Sequence, residues 1–460
     1  MRNPSKSVFV SVFIVITLVG MSLSAISNNQ NQEIQEEETK FFSHTNINFE
    51  GYQEDSIYSY STLSSGGYTN CVITEDQRVV CWGSNDQGKR GLGGGIDNAS
   101  VTPVGKAGPW VVGNLSGGMV EVSSGGWSAC SLKQTGEIWC WGGGEYGQLG
   151  SGNDLCQGST GSLACQQAQN HPPVKVSLPL GRTAVSLSDA NQGHFCAILD
   201  NGDGICWGWN ENGQLGDGTV CTGGSYWQDN SNPTPAGCNS KNGRYTPAVI
   251  DDSNFPANSS FISISMGQRH SCGIIDNNDL YCWGQNNYGQ LGIGLSNFQN
   301  YPTPQFVASN VIAVGTGDQH SCALYENQNV KCWGRNNMGQ LGTGDNYLYS
   351  SPQPINLSTN ILLISLESAY NSNCVITEEF ETYCWGTNYF SQLGNQDGDG
   401  TQENPLLFWN TEYNFTVNTT AAMSINGDGV CQIIGQSSDN STHNHRDCLL
   451  YTSDAADETG

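Results

Sequence analysis

Basic side chains are scarce in this chain. Lys and Arg number 16 in 460 residues against 42 Asp and Glu, for a formal net charge of -26. Phosphate binding needs clustered cations, so the expected partners do not include nucleic acid. Charge of either sign is thin, at 13% of residues, whereas a long helical bundle is rich in Ala, Glu, Lys and Leu. No second long apolar run follows the one between Val8 and Ala25, so contact with a membrane is expected only through that first segment. Catalytic signatures are missing as well. The chain has no G-x-S-x-G elbow, no H-E-x-x-H and no phosphate loop, and no catalytic or metal-binding residue is assigned. What is present is 58 Gly, 18 Cys and 12 Trp, with hydrophobic residues at 37% and aromatics at 10%. That composition excludes general disorder. It suits a turn-rich all-β protein with ample chain for a core.

The two ends read differently from the middle. Arg2 and Lys6 precede the apolar run, and the small residues Ser22, Ser24, Ala25 and Ser27 follow. This is the pattern of a secretory signal over 1–27, cleaved near Ala25 to Ser27 or retained as an anchor. Residues 28–55 open with the acidic run Asn28 to Lys40, which has no periodicity and reads as a flexible linker. At the other end, 448–460 contains CLLYTSDAADE, which resembles one reading frame of a common sequencing adapter. It is set aside from the fold, leaving 56–447 as the structured domain.

Self-similarity dominates that domain. One unit runs CALYENQNVKCWGRNNMGQLGTG from Cys322, and comparable units start at Cys272, Cys196 and Cys130. Altered copies start at Cys71 and Cys374, and a seventh begins around Cys431 and then loses the pattern. The period is about 50 residues, with insertions in some copies. Each unit reads as a short strand ending in a Gly-rich bend, then a β-hairpin, then a polar loop with GQLG. Short strands at even spacing with Gly and Trp marking every copy suggest propeller blades, whose radial arrangement leaves only short protected edges. Seven copies predict an all-β, seven-bladed β-propeller with its last blade truncated.

The cysteines fit this reading. Cys71/Cys81, Cys130/Cys140, Cys196/Cys206, Cys272/Cys282, Cys322/Cys332 and Cys374/Cys384 share one spacing. In a hairpin centred on the intervening turn, i and i+10 face each other about 4.5–5.5 Å apart at Cα, within reach of a disulfide. The rival, zinc, usually takes Cys at two-to-four-residue spacing, and no such pair occurs. An exported chain is in a compartment that permits the bond.

The repeated Cys-Trp-Gly followed by Gly-Gln-Leu-Gly resembles the regulator of chromosome condensation repeat. The motif stands at Trp141 with Gly147 to Gly150, Trp207 with Gly213 to Gly216, Trp283 with Gly289 to Gly292, and Trp333 with Gly339 to Gly342. The likeness spans roughly Ser59 to Gly435. It implies a seven-bladed propeller but no single activity, because the scaffold hosts several. The founding members are nuclear exchange factors for a small GTPase, and secreted bacterial relatives include a β-lactamase inhibitory protein that acts by binding. This chain departs from the founders in its export signal, its Cys pairs and its acidity, and no segment matches their exchange element.

Candidate sites follow. Two consecutive units carry insertions after GQLG, one from Ser151 to His171 with Cys156 and Cys165, the other from Thr219 to Tyr245 with Cys221 and Cys238. Each pair is expected to close its own loop, and Tyr226, Trp227 and Tyr245 are candidate aromatic anchors. The bland alternative is a stapled surface loop without a role. His194, His270 and His320 share one slot two residues before the first Cys. The resemblance implies that they hydrogen-bond backbone within their own blades rather than bind metal. Asp397, Asp399 and Glu403 hint weakly at calcium but lack EF-hand spacing. The CWG tryptophans read as blade packing. Sequons stand at Asn98, Asn114, Asn258, Asn356, Asn414, Asn418 and Asn440. They matter only where the host glycosylates exported chains.

The resulting expectation is a monomeric, secreted or cell-surface, non-catalytic propeller that binds an extracellular protein or glycan through loops on one face. The first alternative is a carbohydrate-active enzyme with carboxylates at the propeller mouth. The second is guanine-nucleotide exchange inherited from the family.

Overall fold

The structure, a computed structural model, describes residues 63–409 apart from 67–68, 92–108, 154–170, 189–192, 222–237, 239–241, 358–362, 378–380, 390–392 and 394–399, together with 423–425 and 431–433. The expected leader (1–27), linker (28–55) and tail (448–460) lie outside the described residues, as do Cys156, Cys165, Tyr226, Trp227, Asp397 and Asp399.

The architecture is an all-β propeller of antiparallel blades. Blade one holds β1 (Leu63–Gly66), β2 (Thr69–Ile73), β3 (Val79–Gly83) and β4 (Trp110–Val111). Blade two holds β5 (Met119–Ser124), β6 (Ser128–Lys133), β7 (Ile138–Gly142) and β8 (His171–Lys175). In blade three these are β9 (Ala184–Leu187), β10 (His194–Leu199), β11 (Gly204–Trp209) and β12 (Gly243–Val249). Blade four has β13 (Phe261–Met266), β14 (His270–Ile275), β15 (Leu280–Gln285) and β16 (Asn300–Ala308). Blade five has β17 (Val311–Thr316), β18 (His320–Tyr325), β19 (Val330–Gly334) and β20 (Tyr349–Pro354). Blade six has β21 (Leu363–Ala369), β22 (Ser372–Thr377), β23 (Thr382–Thr387) and β24 (Thr401–Trp409). Every blade is a meander in chain order, and first strands of neighbouring blades pack together, which puts them innermost.

The expected blade count is corrected. Among the described residues six sheets have four strands, and the seventh copy contributes only a two-stranded ladder of β25 (Met423–Ile425) with β26 (Cys431–Ile433). The reason is in the chain. The copy that opens at Cys431 departs from the others, since neither CWG nor GQLG follows it in this sequence.

The hairpins carry the paired cysteines in register. Cys71↔Cys81, Cys130↔Cys140, Cys196↔Cys206, Cys272↔Cys282, Cys322↔Cys332 and Cys374↔Cys384 are direct cross-strand partners. Each pair is disulfide-bonded, with Cα atoms 4.0–4.1 Å apart. That is tighter than the ~4.5 Å of an unbridged narrow pair.

The hydrophobic core lies between blades rather than within one. Each of five clusters joins two neighbours, and in each the disulfide of one blade packs with the CWG tryptophan of the next. Trp207, for example, shares a cluster with Cys130 and Cys140. The indole then finishes the contact with a hydrogen bond. Trp207, Trp283, Trp333 and Trp385 donate Nε1–H to the carbonyls of Gln148, Gln214, Gln290 and Gln340 at 3.0, 2.9, 2.9 and 3.0 Å. Each acceptor is the Gln of the preceding blade's GQLG. Trp141 does the same to Lys89 at 2.7 Å, in the altered GKRG of blade one.

The other letters of the motif serve the same joint. A Cβ on Gly216, Gly292 or Gly342 would lie 2.7–2.8 Å from the next blade's indole Nε1, and all three have φ between 66 and 74°. Only Gly fits both demands. The leucines Leu149, Leu215, Leu291 and Leu341 are fully buried. An Asn three residues after the Trp fixes the loop, with Asn210, Asn286 and Asn336 accepting from the N–H of Leu215, Leu291 and Leu341.

Among the described residues two joints are incomplete. Trp82 of blade one is only half-buried, whereas Trp141, Trp207, Trp283, Trp333 and Trp385 are fully buried. Cys374 of blade six is half-buried, whereas both cysteines of the other five pairs are at 0%. The two exceptions sit where a preceding and a following blade would cover them. Trp283→Ala is therefore expected to cost about 3–5 kcal/mol and Trp82→Ala clearly less. Urea midpoints of the two variants check this, and equal losses would contradict the inter-blade account.

Candidate functional site

Each blade has two ends. One carries the tight hairpin turns between second and third strands. The other carries the bends between first and second strands together with the loops that lead into GQLG. Three slots at this second end vary from blade to blade. The residue before the second strand is Trp127, Gly193, Arg269 or Gln319 in blades two to five. The residue after CWG is Gly143, Trp209, Gln285 or Arg335, and the one before GQLG is Tyr146, Asn212, Tyr288 or Met338.

Four of these variable residues converge across blades two, three and four. The rings of Trp127 and Tyr146 stack with centroids 5.2 Å apart and planes at 23°. Trp209 packs on both, 6.1 Å from Trp127 and 5.8 Å from Tyr146. The Arg269 guanidinium lies 4.7 Å over Trp209, a cation–π contact worth about 0.5–2 kcal/mol. Gly193 makes the closure possible, since a Cβ there would stand 2.9 Å from the Trp127 ring. Trp209 is buried, while Trp127, Tyr146 and Arg269 remain half-buried. Burial, with the nearby charges of Glu145 and Glu211, pushes the Tyr146 phenol up. A related pair stands one blade on, where Arg335 lies 5.1 Å over Tyr288 and donates to Gln319 Oε1 at 2.6 Å.

The second insertion is rooted at this cluster. Asn210, next to Trp209, donates to the Thr219 carbonyl and accepts from Cys221 N–H at 2.9 Å. At the other foot, Gly243 abuts the Tyr146 carbonyl so closely that no side chain fits. A Cys221–Cys238 disulfide closes the loop, with Cα atoms 5.6 Å apart. Below it Arg244 pairs with the nearly buried Asp217.

Tyr245 lies within β12, half-buried, and its carbonyl accepts from Gly152 N–H at 2.9 Å. It thus ties blade two to blade three from a strand rather than from a loop tip. Tyr226 and Trp227 lie outside the described residues. Glu403 is in β24, and its carboxylate accepts from Asn346. Its expected companions Asp397 and Asp399 lie outside the described residues.

The histidine expectation is corrected. Each His reaches the next blade, not its own backbone. His194 Nε2 meets Ser271 Oγ at 2.8 Å, His270 Nε2 meets Ser321 Oγ at 2.9 Å, and His320 Nε2 meets Asn373 Oδ1 at 3.0 Å. Ser271, Ser321 and Asn373 in turn donate to the Gln214, Gln290 and Gln340 carbonyls, at 2.9, 3.0 and 2.6 Å. Since the serine hydroxyls donate onward and Asn Oδ1 can only accept, the histidines must carry their proton on Nε2. The Nδ1 atoms are buried without a hydrogen bond. A Cβ on Gly267 or Gly317 would come 2.5 Å from Nδ1 of His270 or His320, so these glycines seal two of those atoms.

A family profile for the RCC1-like domain matches residues 53–425. The chain belongs to the RCC1-like domain family. Among curated proteins, it is 29% identical over 241 residues to the ultraviolet-B receptor UVR8 of Arabidopsis thaliana, covering 52% of this chain and 44% of that one. RCC1 domain-containing protein 1 of Homo sapiens is 28% identical over 181 residues, covering 36% of this chain and 44% of the relative. The matches thus span less than half the length of these relatives. Human WBSCR16 has the same fold, with TM-score 0.59 at 19% identity, over 76% of this chain and 83% of that one. Yeast RCC1 (Prp20), solved with Kap60, gives 0.55 at 18% over 83% and 80%.

Within this RCC1-like propeller the repeat itself hid the aromatic cluster from sequence reasoning. Six of the 12 tryptophans sit in CWG. Trp127 and Trp209 are among the remainder, in slots filled by other residues in neighbouring copies. Departure from the repeat consensus was the available signal.

The buried histidines predict a pH dependence. Burial pushes the imidazoles of His194 and His270 down to about 3, with the charges of His320 and His194 adding to the effect on His270. His320 is pushed to about 4 by burial, partly offset by its Asn373 acceptor. Neutral in the fold and ordinary when unfolded, each contributes stability that is complete above about 6.5 and declines as pH falls below it. Going from pH 7 to pH 5 is expected to cost about 2 kcal/mol per histidine. Urea midpoints across that range test this, and His270→Gln should flatten the slope by about one third.

Proposed function

We propose that this chain is a non-catalytic scaffold, exported from the cell, that binds a protein partner through the end of the propeller carrying Trp127, Tyr146, Trp209 and Arg269. The observation that carries the reading is the composition and exposure of that cluster. Trp, Tyr and Arg dominate protein-binding hot spots, and here all three meet in one patch that is partly open to solvent. The rings and guanidinium are already packed on one another, so little ordering entropy remains to be lost on binding. The foot of the disulfide-closed loop is tied in beside the cluster, where Cys221 N–H donates to the carbonyl of Asn210, the neighbour of Trp209. The six hairpin disulfides suit an oxidising compartment, which supports export. With acids in excess and Glu145 and Glu211 beside the cluster, the partner surface is expected to be basic, and charge steers it to this end. Relatives in the family bind proteins, as the complex of yeast RCC1 with Kap60 illustrates for that protein.

Photo-crosslinking separates this reading from its rivals. A diazirine-bearing residue replaces Tyr146 in one form. In a second form it replaces the fully exposed Leu180, between β8 and β9 at the opposite end of the blades. On cells that express the chain, protein adducts are expected at position 146, reduced at least about tenfold by Trp127→Ala, the loss of a hot-spot residue. Adducts equal at both positions would overturn the assignment of the face. Binding on a glycan array that Trp127→Ala abolishes would replace the protein by a sugar.

A further inference from the structure

Three sequons fall on described asparagines, and all three occupy one class of connection. Asn114 stands between β4 and β5, Asn258 between β12 and β13, and Asn356 between β20 and β21. These are the crossings from the outer strand of one blade to the inner strand of the next, after blades one, three and five. All three asparagines are exposed.

The crossings lie at the hairpin-turn end. Beside Asn114, Met119 N–H donates to the Gln77 carbonyl in the turn of blade one, at 3.1 Å. Beyond Asn258, Phe261 N–H donates to Gly202 in the turn of blade three, at 2.9 Å. Next to Asn356, Ile355 N–H donates to Val330, the first residue of β19, at 3.2 Å. Trp127, Tyr146 and Trp209 are at the other end of the same sheets.

From this placement we infer that Asn114 and Asn258 are N-glycosylation sites, so that these two glycans stand at the hairpin-turn end of the propeller, away from the aromatic cluster. Both are exposed turn residues, at φ 61° and 63°, with open solvent for a bulky glycan. Asn356 ranks below them, because its Nδ2 already donates to Asn404 Oδ1 at 2.7 Å and crowds Gly344. The reaction is a glycosyl transfer from a polyprenyl-diphosphate-linked oligosaccharide. The Asn Nδ2–C1 bond forms, the C1–O bond to the diphosphate breaks, and the lipid diphosphate leaves with the electron pair while the amide proton passes to a base of the transferase. The inference rests on the export reading above.

The test is the full chain expressed in cultured insect cells in two forms, one with its own leader and one with a leader of proven export there. Protein from the medium is treated with a glycan-releasing amidase in ¹⁸O water and mapped by mass spectrometry. Asn114 and Asn258 are expected to convert to ¹⁸O-labelled Asp. Asn114→Gln and Asn258→Gln should each remove one step of the mobility shift that the amidase abolishes. Unmodified Asn114 and Asn258 in chain exported by the borrowed leader would overturn the inference. Modification with the borrowed leader and no export with the native one would uphold the sites and overturn export instead.

Discussion

The carbonyl of the GQLG glutamine is the joint on which this propeller depends. It is a buried backbone acceptor that takes an indole donor from the blade that follows, and at Gln214, Gln290 and Gln340 a second side-chain donor as well. Gln214 accepts from Trp283 Nε1 and from Ser271 Oγ, and Gln290 accepts from Trp333 and Ser321 in the same way. A buried polar group left unpaired costs about 1–3 kcal/mol. Each blade therefore specifies its neighbour as well as packing on it. The His–Ser contact brings a third residue of the first blade into the same network. The glutamine side chain serves its own loop, since Gln214 Oε1 accepts from Asn212 N–H and Gln290 Oε1 from Tyr288 N–H.

Such a joint explains why so much of the repeat is invariant along the chain. Gly, Gln, Leu, Gly, Trp, the preceding Cys and the Asn three positions on all touch one interface. Substituting any of them disturbs two blades at once. It also explains the state of the terminal blades. Half-buried Trp82 and half-buried Cys374 each belong to a joint whose other half is not among the described residues. Disulfides stiffen each hairpin independently of its neighbours, so the hairpins of blades one and six are covalently stapled like the rest.

The fold was legible in the sequence because its signals are local or periodic. The i, i+10 cysteines, the CWG and the GQLG each lie within one unit and recur. Counting copies by their first Cys gives seven blades where six four-stranded sheets are described. Cys431 opens a copy in which CWG and GQLG do not follow. The histidine contacts are invisible within one repeat for another reason. His270 has its partner Ser321 fifty-one positions away, and a contact between blades leaves no mark within one unit. The His–x–Cys slot and the Ser–Cys slot each recur, but their pairing across blades is a fact of the radial arrangement alone.

The candidate site is the complement of the joint. Where the repeat spends its residues on holding blades together, the three variable slots at the loop end are left to chance or to function. In blades two to four they are filled by Trp127, Tyr146, Trp209 and Arg269 around an empty place at Gly193. A side chain at Gly193 of the size found in the same slot of blades two, four or five would part Trp127 from Trp209. The cluster therefore depends on one small residue in a slot that is otherwise large. Its two tryptophans come from blades whose disulfides and indole latches fix their spacing. Propeller rigidity is thus what allows four residues from three repeats to meet with defined geometry, and the stapled loop at Cys221 and Cys238 is anchored where that geometry is already set.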